Sequence, residues 1–415
     1  MAAPEQYTHG PTNFLGITSR RNIAPVFWDP NMPMLNNRGP IAMVTGSPGK
    51  GKTYLLSVLA YMSIIMGKMT VIIDRKGDFY PLKQMEDYIG DVAYWDVSRR
   101  ESYGLLDPFF LAPESVWDEK TKQFIKDTDN ELKAKKIRLI KSVIQILIPT
   151  LDDSTLADIG SVAMDMLKNP DEPNPTMNDL VGELRGSTNP MLQQQGKILR
   201  QIFDDDVAKI FAADQGTIPP PVKLSKGGTI IDISQIQDLP KTPEEASKSE
   251  QGRISTALMF LITRFVSSAM NTTGREPKLL MIDEAWAFLA TQQGKDMVQH
   301  LALMGRSWNF GIILATQDYR HVSDNIHADT AFSTHFIFGN EEIAARKALE
   351  KLGRNDLDDL VPVVQTLAQG ECLMYDFLGN LAVVRISQWW GDYEEFNTTP
   401  PPPERATEEE INIYV

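Results

Sequence analysis

The spacing of apolar positions changes period twice along the chain. Between Ile41 and Phe110, short apolar runs alternate with amphipathic stretches, the pattern of strand–helix–strand units. Ile41–Thr45 and Thr70–Asp74 read as buried strands, with a helix over Lys52–Met66 between them. From Ala112 to about Gln215 only the helical period remains. Ile137, Ile140, Ile144 and Leu147 recur at helical spacing, as do Leu156, Ile159, Ala163 and Met166. The Pro-rich segment Asn169–Pro175 splits this block. After Pro219–Pro221 the alternation returns, with strands at Thr229–Ile233, Leu279–Ile282 and Gly311–Ala315. Helices are predicted between them, over Gln251–Met270 and Lys295–Ser307. Cys372–Tyr375 and Leu381–Ile386 should pair as a hairpin around Leu378–Asn380. The expected layout is an α/β core with a mostly parallel central sheet, 41–111 and 222–390, interrupted by an all-helical insertion, 112–221. A Pro-, Asn- and Gly-rich segment, 1–40, precedes it and carries one strand-like run, Ala24–Trp28. A Pro-rich acidic tail, 391–415, follows.

Composition narrows the function classes. Of 415 residues 42% are hydrophobic and 23% charged, which sets aside disordered, collagen-like and coiled-coil readings. The net charge of −14 argues against a surface that coats nucleic acid, so any such contact is local. Cys372 is the sole cysteine, which rules out an intrachain disulfide and any cysteine-rich zinc or iron–sulfur site, and fits a reducing compartment. Met1–Pro11 lacks the apolar stretch of a secretory signal, and the apolar run Tyr54–Ile73 is broken by Gly67 and Lys68. The expectation is a cytoplasmic protein that reaches the inner face of a membrane only by docking, without insertion.

Gly46-Ser47-Pro48-Gly49-Lys50-Gly51-Lys52-Thr53 matches the phosphate-binding pattern G-x-x-x-x-G-K-[ST] in full. Its glycines let backbone N–H groups turn inward around a β-phosphate, a shape a Cβ would obstruct. Lys52 is placed for the β- and γ-phosphates, and the Thr53 hydroxyl for Mg²⁺. Tyr54 continues into the helix whose amino end faces the anion. ATP and Mg²⁺ are the expected ligands.

Leu279-Leu-Met-Ile-Asp283-Glu284 ends an apolar strand in two carboxylates. Downstream of a P-loop, Asp283 suits the Mg²⁺ role and Glu284 the activation of the attacking water. Gln317 ends the next strand and can sense a γ-phosphate; Arg306 lies just before that strand and can act as a finger on a neighbouring subunit, with Arg346 and Arg354 as alternatives. Asp74-Arg-Lys-Gly77 matches the D-x-x-G of GTPases, but the chain has no Asn-Lys pair for guanine recognition. Asp74 therefore reads as a strand-end residue near the nucleotide or a subunit interface.

Taken together, the P-loop, the Leu-Met-Ile-Asp-Glu-Ala-Trp strand and the Gly-Arg-Ser-x-Asn-x-Gly-Ile-Ile-Leu-Ala-Thr-Gln block resemble the HerA–FtsK superfamily of hexameric translocases. Within it the match is nearest to the conjugation and type IV secretion ATPases of the TraC kind, the fourth VirB component. Asp74–Phe79, Leu105–Phe109, Thr229–Ser234 and Gly370–Tyr375 add to the resemblance, which runs from about Gly16 to Ile386. It implies a RecA-like core, a homo-oligomeric ring (a hexamer) and transfer of DNA or protein through a secretion channel. It supports Arg306 as the finger and Gln317 as the strand-tip glutamine. A DNA translocase or packaging ATPase of a phage or mobile element is the second expectation.

Other features read more plainly. Lys133, Lys135, Lys136, Arg138 and Lys141 follow Asp127, Asp129 and Glu131, as on a solvated helix with local ion pairs. His9, His300, His321, His327 and His335 lack metal-ligand spacing, and Trp389-Trp390 reads as a packing anchor.

Overall fold

A strand covered on both faces reads as a continuous apolar run, and the strands of the central sheet do so. The computed structural model describes residues 13–20, 23–112, 115–118, 123–171, 174–213, 227–236, 248–272, 276–289, 292–317, 319, 331–354 and 356–387. Its strands, in chain order, are β1 (Asn13–Thr18), β2 (Pro25–Trp28), β3 (Ile41–Thr45), β4 (Met69–Asp74), β5 (Val92–Asp96), β6 (Ser115–Asp118), β7 (Gln123–Lys126) and β8 (Gly228–Asp232). They continue with β9 (Lys278–Ile282), β10 (Phe310–Thr316), β11 (Phe332–Phe338), β12 (Glu371–Tyr375) and β13 (Leu381–Ile386). Eleven of them form one sheet in the order β2-β1-β13-β12-β11-β3-β10-β9-β4-β8-β5. From β11 to β5 neighbours run parallel; β12, β13, β1 and β2 extend the sheet antiparallel.

Side chains alternate between two cores, as the pleat requires. Ile41, Met43, Val71, Ile73, Leu280 and Ile282 enter one; Ala42, Val44, Ile72, Leu279 and Met281 enter the other, beneath the helix Lys52–Ile65. The first core continues into the helical block, whose four main helices are Asp129–Leu147, Asp153–Lys168, Met177–Gly186 and Pro190–Phe203. Each begins at a side-chain cap, Thr128, Asp152, Thr176 or Asn189, that accepts from a backbone N–H of the first turn. The helical stretch expected from Ala112 begins instead with the antiparallel pair β6–β7. Val116, Trp117, Phe124 and Ile125 are β-branched or aromatic and favour that conformation.

The register fixes where chemistry can occur. Parallel β5, β8 and β4 end level with one another, Asp96 opposite Asp232 and Asp232 opposite Asp74. Ile73 lies opposite Ile282, which puts Asp283 next in the same row. Thr45 and Thr316 are also paired, so the P-loop and Gln317 leave the sheet at this edge. Ligands of open α/β sheets bind outside such carboxyl ends.

Candidate active site

Gly46–Thr53 joins the end of β3 to the helix Lys52–Ile65. A Cβ on Gly46 would stand 2.5 Å from the Phe338 Cβ, and Gly51 holds φ +110 at the helix entry. Both positions need glycine. The loop is braced from β11 and β12. Ser47 N–H donates to the Gly339 carbonyl at 3.0 Å, the Ser47 hydroxyl bonds Asn340 Oδ1 at 2.9 Å, and Gly370 N–H donates to the Lys50 carbonyl at 3.0 Å. Lys52 is buried, and its Nζ donates to the carbonyls of Gly46 at 2.7 Å and Ser47 at 3.1 Å. Burial pulls its pKa below the usual lysine value; attraction to Glu284 and Asp283 offsets part of this.

Asp283 and Glu284 follow β9, both buried. Among the described residues, neither carboxylate oxygen of Asp283 has a hydrogen-bond partner. Burial pushes its pKa up to about 7, against the pull of Lys76. A buried orphan carboxylate is costly unless a cation meets it, so the donor set fits Mg²⁺. Glu284 has φ +50, a left-handed conformation that a residue with a Cβ adopts at a cost of about 1–3 kcal/mol. Its Oε1 meets Lys76 Nζ at 2.6 Å and accepts from Gln317 Nε2 at 3.1 Å; its Oε2 accepts from Trp286 Nε1 at 2.8 Å. Burial raises its pKa, but these three donors outweigh it and leave the group below the ordinary glutamate value.

β10 lies between β3 and β9, so one strand separates the P-loop from the Asp-Glu pair. Gln317 touches Glu284. Asp74 shapes the following turn. Its carboxylate accepts from the backbone N–H groups of Lys76, Gly77 and Phe79 at 2.9–3.1 Å. Arg306 occupies the last turn of the helix Gln292–Trp308, and its side chain lies outside the described residues. The helix precedes β10, whose seven residues span roughly 20 Å, so Arg306 stands at the sheet edge opposite its own P-loop. Arg346 pairs with Asp358 at 2.9 Å, and Arg354 with Asp356 through two bonds of 2.8 and 2.7 Å. Lys76, Trp286 and Asn340 were not anticipated. Lys76 lay within the quoted Asp-Arg-Lys-Gly motif, and its charge beside a strand tip was the available signal.

A family model for the AAA-like domain matches residues 34–395. The chain belongs to the AAA-like domain family. Its parallel sheet, with the P-loop following β3, is of the RecA-like kind. The chain is 24% identical over 396 residues to the uncharacterized protein YddE of Bacillus subtilis (strain 168), covering 85% of this chain and 42% of that protein's length. In structure it is similar to VirB4 of Thermoanaerobacter pseudethanolicus, with TM-score 0.66, 13% identity and coverage of 92% of this chain and 98% of that one. The bacterial conjugative coupling protein TrwBΔN70 overlaps it with TM-score 0.48 at 14% identity, over 92% of this chain and 95% of the other. No helix among the described residues is long and apolar enough to cross a membrane.

Proposed function

We propose that the chain is the motor of a type IV secretion or conjugation system, a homo-oligomeric ring that couples ATP hydrolysis to transfer of DNA or protein. The observation that carries this reading is the unpartnered Asp283 carboxylate beside Glu284, one strand away from a complete P-loop. Lys52 binds the β- and γ-phosphates, and the N–H groups from Ser47 to Thr53 cradle them. Thr53 and Asp283 are the residues that would hold Mg²⁺, which would neutralise phosphate charge. Glu284 takes the proton of the attacking water, and Gln317 orients Glu284. Arg306, remote from its own P-loop, serves the nucleotide of a neighbouring subunit. The ring, taken as a hexamer, docks on membrane channel proteins from the cytoplasmic side.

A second reading, a DNA translocase or packaging motor, has an observation of its own. A cleft of about 1080 Å³ opens between the helices Asp129–Leu147, Glu250–Thr272 and Gln292–Trp308, lined among the described residues by Lys135, Arg138, Lys141, Arg264, His300 and one acid, Asp296. In a chain of net charge −14, such a concentration of cations suits a phosphodiester backbone. The deciding experiment is the steady-state ATPase rate with and without single- and double-stranded DNA at two salt concentrations. Salt-sensitive stimulation supports the DNA motor. A rate indifferent to DNA but raised by a channel protein supports the secretion ATPase, and no hydrolysis under any condition overturns both.

A further inference from the structure

Lys76 takes no part in the mechanism above, yet it is the only cation in an ion pair with Glu284 among the described residues. Asp74 builds the turn that presents it, by fixing the N–H groups of Lys76, Gly77 and Phe79. The pair is lopsided: the Lys76 side chain is 41% exposed and that of Glu284 only 4%. Lys76 can therefore change partner with little rearrangement, whereas Glu284 cannot leave. Lys76 also lies close enough to Lys52 for the two cations to repel. A γ-phosphate held by Lys52 would therefore enter the field of Lys76, carrying more negative charge than one carboxylate. A base engaged by an ammonium at 2.6 Å is a poor proton acceptor for water, since the same Oε1 must receive that proton.

We propose that Lys76 is a γ-phosphate-sensing positioning residue, which restrains Glu284 through their ion pair and releases it by exchanging the carboxylate for the γ-phosphate of bound ATP. The inference rests on the P-loop site reading and adds its regulation. Hydrolysis then begins only after a nucleoside triphosphate has displaced the clamp, and a diphosphate leaves Glu284 engaged. Gln317 and Trp286 keep the carboxylate oriented once Lys76 departs.

The test is a double-mutant cycle in nucleotide binding, which involves no turnover. The full chain, Lys76→Met, Lys76→Arg, Glu284→Gln and the double variant Lys76→Met/Glu284→Gln are titrated with ATPγS and with ADP, each in the presence of Mg²⁺. Lys76→Met is expected to bind ATPγS about tenfold more weakly with ADP affinity unchanged, and Lys76→Arg to recover most of that preference. Glu284→Gln, which loosens the clamp, should bind ATPγS several-fold more tightly, and only while Lys76 is present. An unchanged ATPγS-to-ADP ratio in Lys76→Met, or a Glu284→Gln gain that persists without Lys76, overturns the clamp and leaves the site reading intact. Failure of the unsubstituted chain to bind either nucleotide overturns the site reading together with the clamp.

Discussion

Two buried aspartates, Asp107 and Asp283, show how similar burial serves opposite ends. Burial pushes the pKa of each to about 7. Asp107, in the loop between β5 and β6, accepts from Phe109 N–H at 3.0 Å, Met177 N–H at 2.9 Å and Ala213 N–H at 3.1 Å. Besides its own loop, this one side chain ties the start of the third helix of the helical block, at Met177, and the segment after the fourth, at Ala213. The Met177 N–H is one of the unpaired donors at a helix start, satisfied here from 70 residues away. Asp283 has no such partners for either oxygen. A buried polar group with all its bonds made specifies structure, and one left without them marks where something else must bind.

The comparison would break if the two sites responded alike, and the largest effects should come from outside the subunit. Arg306→Ala should lower ATP hydrolysis roughly 10³-fold or more while ATP binding persists. Mixing it with Glu284→Gln subunits should restore part of the rate, read in a coupled ATPase assay. Asp283→Asn should cost roughly 10²–10³ in turnover and leave the melting temperature equal or higher, because an unpaired buried charge is removed. Asp107→Ala should do the reverse. It leaves three buried N–H groups unpaired, a loss of about 3–5 kcal/mol that denaturant melts would report, while the P-loop retains nucleotide. A destabilised Asp283→Asn beside an undisturbed Asp107→Ala would undo the contrast.

A smaller effect sharpens it through pH. His335 on β11 is packed against Tyr319, Phe332 and Tyr375, and burial pushes its pKa down to about 4. Between about 4 and the unfolded value near 6.5, the unfolded chain binds the extra proton, so stability rises with pH across that window. The contribution is complete above about pH 6.5 and is lost on acidification toward 4, at most about 3 kcal/mol. His335→Gln should flatten the acid limb of a stability profile measured by urea titration. The smallest expected difference lies between Glu284→Gly and Glu284→Ala: both lose the carboxylate and hydrolysis, but glycine alone relieves the left-handed φ and should be about 1 kcal/mol the more stable in the same titration.

Much of the core was legible because buried parallel strands leave nowhere for polar residues. Ile41–Thr45 and Leu381–Ile386 coincide with β3 and β13, and the other expected strands differ from the observed ones by single residues at their ends. The strands that escaped notice mix in polar residues. β11 reads Phe-Ser-Thr-His-Phe-Ile-Phe, with Thr334 and His335 buried, and β5 carries Tyr94, Trp95 and Asp96 at half-buried positions. β1 is interrupted by Gly16, where the pairing with β2 shifts register. Lys133–Asp129 and Lys135–Asp127 form the local ion pairs expected of the basic stretch, and Lys135 lines the cleft together with Arg138 and Lys141. In the site, the P-loop and the Asp-Glu pair announce themselves through local spacing. The Lys76–Glu284 and Ser47–Asn340 contacts join residues more than two hundred positions apart, and no local pattern encodes them. Trp389-Trp390, His9, His321, His327 and the acidic tail lie outside the described residues.

The level row of aspartates at the strand ends has a consequence for approach. Asp96, Asp232, Asp74 and Asp283 occupy one half of the sheet edge, and the P-loop with Lys52 occupies the other. An incoming polyphosphate therefore meets a fence on one side and a berth on the other. The edge sorts its anion sideways before any hydrogen bond is made, and Lys76 is a cation set within the fence, beside Glu284.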